Sequence, residues 1–113
     1  MNDQLNFKVK GNEYTIKFPN VGNFRRIESL KQALSNGMYS SMVGTFTDAA
    51  QKAADMVDIE SYLTVLCPEI LKDLKCESFS DLGLVDFMEL QTAYKEQFVP
   101  WWRKIMEEVG LMK

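Results

Sequence analysis

The stretch "LNFKVK-GN-EYTIKF" constrains the fold of this chain more than any other. Two alternating runs flank Gly11-Asn12, a dipeptide suited to a two-residue hairpin loop. With that loop, Val9 faces Tyr14, Phe7 faces Ile16 and Leu5 faces Phe18. All six apolar side chains then fall on one side. Lys10, Glu13, Lys8, Thr15, Asn6 and Lys17 fall on the other. A one-residue slip would scatter both sets. A lone hairpin is marginal in water, so its apolar face must lie on helices or join another sheet. Its edges invite pairing with a second copy, and Lys8, Lys10 and Lys17 on the polar face discourage uncontrolled stacking. A homo-oligomer is therefore expected.

Helical signals fill the rest. Pro19 ends the second strand and Asn20 is a cap for a helix over about 21–35, with Phe24, Ile27, Leu30 and Leu34 at helical spacing. Asn36-Gly37 stops it, Gly37 suiting the left-handed C′ position. "MYSSMVGTFT" reads as a loose loop or a short helix. Thr47 or Asp48 caps a helix over about 48–67, whose alanine-rich first half lets another helix approach closely. Pro68 closes it and opens a short helix over about 68–75. After the connection "KCESFSD" comes a last helix over about 84–109, stopped by Gly110. The fold class is α+β, mainly α: an N-terminal β-hairpin followed by a bundle of three to four helices. At 113 residues the chain is expected to form one domain.

The last helix contains "FVPWW". Its buried stripe runs through Phe87, Leu90, Tyr94, Phe98, Ile105 and Val109. On a wheel of about 100° per residue, Trp101 falls roughly 40° to one side of that stripe and Trp102 roughly 60° to the other. Leu90 and Met106 widen the apolar arc to about 160°, more than one flat partner covers. Pro100 predicts a kink. Either both indoles close the core, or one of them anchors another chain beside Arg103. Trp and Arg dominate binding energy at interfaces, and the seven methionines can repack around different partners. The candidate partner-binding residues are thus Phe98, Trp101, Trp102, Arg103 and Met106.

Composition narrows the function classes. Net charge is −3 and no basic block interleaves with the aromatics, which argues against nucleic-acid binding. No apolar run approaches the roughly 18 residues of a membrane span. The polar start "MNDQLNFK" does not read as a secretory signal, so an intracellular setting is expected. Histidine is absent, which removes the commonest general base and every Ser-His or Cys-His nucleophile. Cys67 and Cys76 match no zinc spacing and read as reduced, Cys67 as a small core residue. No phosphate loop or dinucleotide fingerprint occurs. Catalytic, cofactor and metal residues are accordingly expected to be none. The carboxylates of "EEVG" and "DLGLVDFMEL" read as a solvated helix face.

Three stretches carry a family likeness: "FKVKGNEYTIKFPNVGNFRRIESLKQALSNGMYSSM" with Glu28 in its helix, "VDIESYLTVLCPEILKDLK", and "DFMELQTAYKEQFVPWWRKIM". In this order they resemble the tail assembly chaperones of long-tailed bacteriophages and prophages. The resemblance implies a non-enzymatic protein of the host cell cytoplasm. Such a protein binds the tape measure protein, keeps it soluble and helps tail tube protein polymerise around it. It also implies that a chain ending "VGLMK" is the short form of a frameshifted pair. Two further readings stand beside it: a structural tail-completion or neck protein of the virion, and a small phage-encoded inhibitor of a host protein.

Overall fold

In the computed structural model, which describes residues 3–110, the hairpin consists of β1 (Gln4–Val9) and β2 (Asn12–Lys17), paired antiparallel. The register differs by two residues from the sequence expectation. Phe7 pairs with Tyr14, Leu5 with Ile16 and Val9 with Asn12, so Lys10-Gly11 is the loop. Both loop residues have positive φ, 50° and 81°, as a type I′ turn requires. Lys10 tolerates that conformation while its Nζ sits 2.5 Å from Asp86 Oδ1 and 3.5 Å from Glu89 Oε2. A two-residue shift keeps every side chain on its own face. Phe7, Val9 and Ile16 are accordingly buried, and Asn6, Lys8, Glu13, Thr15 and Lys17 are exposed.

Six α-helices follow among the described residues: α1 (Val21–Leu34), α2 (Tyr39–Gly44), α3 (Asp48–Leu66), α4 (Glu69–Leu74), α5 (Leu84–Ala93) and α6 (Val99–Glu108). The fold is α+β, mainly α. The Asn20 side chain caps α1 by accepting from the Asn23 amide at 2.8 Å, and the Thr47 hydroxyl accepts from the Ala50 amide ahead of α3. At the end of α1 it is Asn36 that takes the C′ position, with Gly37 following it. Both have positive φ, and the Gly37 amide reaches back to the Gln32 carbonyl at 2.8 Å.

Pro100 leaves its mark one turn early. Between α5 and α6 the chain makes a π turn over Tyr94–Phe98, in which the Val99 amide reaches the Tyr94 carbonyl. An α-helix would press the proline ring against the Glu96 carbonyl; the wider turn relieves that clash without breaking the helix.

The chain divides into two compact units. One contains the hairpin with α4, α5, α6 and a 3₁₀ turn at Phe79–Asp81; the other is residues 19–66, carrying α1, α2 and α3. The buried set of the first unit includes Phe7, Ile16, Ile70, Phe79, Leu90 and Phe98. Cys67, fully buried, belongs to it as well, and burial pushes its thiol up to about 12. In the second unit α1 and α2 pack on α3. There α3 buries two stripes on nearly opposite sides, Ala54-Val57-Ser61 and Ile59-Leu63. Ser61 is accommodated because its hydroxyl donates to the Val57 carbonyl at 2.7 Å.

Candidate protein-binding surfaces

The adjacent tryptophans close around one residue of the hairpin. Phe18 stands at the end of β2, its amide bonded to the Asp3 carbonyl at 2.8 Å. Its ring centroid lies 4.6 Å from that of Trp102 and 5.9 Å, edge-on, from that of Trp101. Behind them Phe98 stacks on Tyr94 at 4.6 Å and meets both indoles at 5.6 Å. The spacing explains the geometry, since residues three and four apart share a helix face. Offset and edge-to-face aromatic pairs within about 7 Å are favourable beyond the area they bury.

Two polar devices fix the same assembly. The Lys8 amide donates to Gln97 Oε1 at 2.8 Å, and Gln97 Nε2 donates to the Lys8 carbonyl at 2.8 Å. The glutamine thus acts as one residue of a third strand and covers the outer edge of β1. The Tyr14 hydroxyl donates to Asp73 of α4. Burial, then the Asp73 bond, push that phenol up to about 12.

Of the five residues read as partner contacts, Phe98 is 1% exposed and offers a partner no surface in this structure. Trp101, Trp102 and Met106 are half-buried, and Arg103 is exposed. The larger apolar surface lies elsewhere. On α5, Leu84, Val85 and Met88 are 65%, 77% and 53% exposed. They occupy an arc about 60° to 160° away from Phe87, outside the buried stripe. That signal was present in "DLGLVDFMEL", where the carboxylates and the aromatic stripe masked it. In the second unit Val21, Met38, Val43 and Phe46 are exposed too.

The second unit also carries a cluster of charged and aromatic groups that the sequence reading missed. Lys31, only 7% exposed, lies 2.7 Å from Glu28 Oε2, 3.8 Å from Asp58 Oδ1 and 3.3 Å from the Tyr62 hydroxyl. Its ammonium sits over the rings of Tyr39 and Tyr62 at 5.2 and 4.7 Å. Tyr39 donates to Asp58 at 2.5 Å. Burial raises the Asp58 carboxyl, against the opposing pull of the Tyr39 bond and Lys31. Burial lowers the Lys31 ammonium, but Glu28 and Tyr62 outweigh it and the net shift is upward. The cluster satisfies its own charges and ties α1 to α3.

Among the described residues, no group of three or more His, Cys, Asp or Glu is placed to hold a metal ion. Nor is any helix among them long and apolar enough to cross a membrane. What the surfaces offer chemically is apolar contact on helices, flanked by carboxylates. Comparison with protein-family models, with curated proteins and with solved structures found no match.

Proposed function

We propose that this is a non-enzymatic binding protein, a phage tail assembly chaperone that holds apolar helical segments of the tape measure protein in solution. The observation that carries the reading is the solvent-exposed trio Leu84, Val85 and Met88 on α5. Large apolar groups clustered on one helix face mark an interaction site more often than scattered single ones do. The trio suits helix-in-groove capture, in which anchors recur about one turn apart. Met88 supplies an unbranched, adaptable contact, and the net charge of −3 helps keep the complex soluble. In this reading the tryptophans hold the hairpin on the helix, and α5 meets the partner.

The test is co-expression with a phage tape measure protein. Wild type is expected to keep that protein soluble. A Leu84→Ser/Val85→Ser/Met88→Ser variant is expected to lose the effect with its circular dichroism unchanged, since exposed substitutions shift stability by about 0.5 kcal/mol or less each. A tape measure protein that precipitates beside wild type, or dissolves equally well beside the triple variant, refutes the proposal. Stoichiometric amounts of the chain in purified virions would favour the structural-subunit reading instead.

A further inference from the structure

The two edges of the hairpin are treated differently. In an antiparallel pair, alternate residues turn both backbone groups outward. The Gln97 contacts identify Lys8 as outward on β1, and the Phe18–Asp3 bond fixes the same phase at the other end. Because Lys8 pairs with Glu13, the outward residues of β2 are Glu13, Thr15 and Lys17. α5 and the π turn pack along β1. Among the described residues, no group outside the hairpin bonds the backbone of Glu13, Thr15 or Lys17, and neither Glu13 nor Lys17 is in an ion pair. All three side chains are exposed.

We infer that this open edge is a self-pairing surface, and that a second copy of the chain adds its own β2 antiparallel about a two-fold axis at Thr15. That register sets Glu13 against Lys17 of the second copy, Thr15 against Thr15 and Lys17 against Glu13. Opposite charges and paired threonines are favourable cross-strand neighbours. The three outward residues would exchange their amides and carbonyls in full, two bonds for each pair. On the other face Tyr14 falls against Ile16 and Ile16 against Tyr14, so the apolar side of the new four-stranded sheet is continuous. The sequence is thus self-complementary under a two-fold axis, as an isologous dimer requires. A displacement by two residues in either direction loses both charge pairs, because the two-fold axis relates one to the other. Pairing over three residues buries little area, so the dimer is expected to depend on concentration. This inference does not rest on the chaperone reading.

The experiment is sedimentation equilibrium of the full chain with charge-reversal variants. Wild type is expected to dimerise. Lys17→Glu is expected to weaken dimerisation by on the order of ten- to a hundredfold, because both charge pairs become Glu against Glu. Lys17 faces Gln4 within its own hairpin, so the variant leaves intramolecular charge pairing intact. Glu13→Lys is expected to be similarly weak. An equimolar mixture of Lys17→Glu and Glu13→Lys restores both pairs and is expected to give a heterodimer of near wild-type affinity. Misfolding of either variant cannot produce that rescue. A monomeric wild type, a dimer that Lys17→Glu leaves unchanged, or a mixture that stays monomeric overturns the inference. The first of these outcomes leaves the edge to an extended segment of another protein.

Discussion

Replacing Trp102 by alanine removes the ring that lies 4.6 Å from Phe18 and 5.6 Å from Phe98. A fully buried Trp→Ala change costs about 3–5 kcal/mol. Trp102 is half-buried, which places the expected loss near the lower end, at about 2–3 kcal/mol. Phe18→Ala, also half-buried, is expected to cost about 2 kcal/mol. The decisive quantity is the coupling between them. Each single variant already destroys the tilted pair, so the double variant should be less damaging than the sum by about 1 kcal/mol. Urea denaturation followed by far-ultraviolet circular dichroism measures all four corners of the cycle without relying on tryptophan emission. Additivity within about 0.3 kcal/mol would mean that Trp102 does not act through Phe18. The indole would then be free to serve a partner as well, and the division that gives the tryptophans to the hairpin and capture to α5 would fall.

The remaining predictions concern the polar devices. Lys31→Met is expected to destabilise the chain by about 1–3 kcal/mol by leaving the half-buried Asp58 with no cation beside it; adding Asp58→Asn should recover part of that loss in denaturation experiments. Gln97→Ala should cost about 1 kcal/mol and speed amide exchange most at Lys8, whose N–H it uncovers. Tyr14, raised above the ordinary 10.0 to about 12, favours the folded state fully below pH 10 and loses that contribution as pH rises towards 12. Asp73→Asn should lower its titration point, read by NMR of the ring, yet leave it above 10 because burial persists.

The hairpin was legible because six apolar residues alternate without a break, and that pattern fixes which face is buried. It does not fix the register, because a shift of two residues preserves every face. The observed Lys10-Gly11 loop is accompanied by contacts from far along the chain, such as Lys10 with Asp86, 76 positions away, which local pattern cannot show. The cap at Asn20 was legible, and the second was narrowed to Thr47 or Asp48, since caps depend on neighbours only. Pro100 announced a disturbance but not its form; the π turn lies over Tyr94–Phe98, where nothing in the composition marks it. The burial of Ile59 in α3 was not legible, because it lies on the far side of the helix from Val57 and one amphipathic face does not predict a second. Within the candidate site, the grouping of Phe98 with both tryptophans followed from spacing. Their engagement with Phe18 did not, since it requires the hairpin to return to the last helix.

The division of labour between the two ends of this long helix follows from side-chain physics. Tryptophan is rigid, with large flat faces, and gains most where its partner surface is fixed. Phe18 and Phe98 supply such a surface within the chain, so Trp101 and Trp102 are best used to hold β2 against α6. A partner composed of many successive helical turns presents no fixed surface. Leucine, valine and methionine, with their smaller or more flexible bodies, adapt to it at lower cost. The exposed trio at the start of α5 has that composition, and Asp86 and Glu89, which lie outside its arc on the same helix, are paired with Lys10. The residue at the hairpin turn thereby balances two carboxylates that border the apolar arc. If the proposed capture by α5 holds, Lys10→Ala should weaken it by leaving Asp86 and Glu89 uncompensated beside Leu84, Val85 and Met88, and unaltered capture by that variant would break the link.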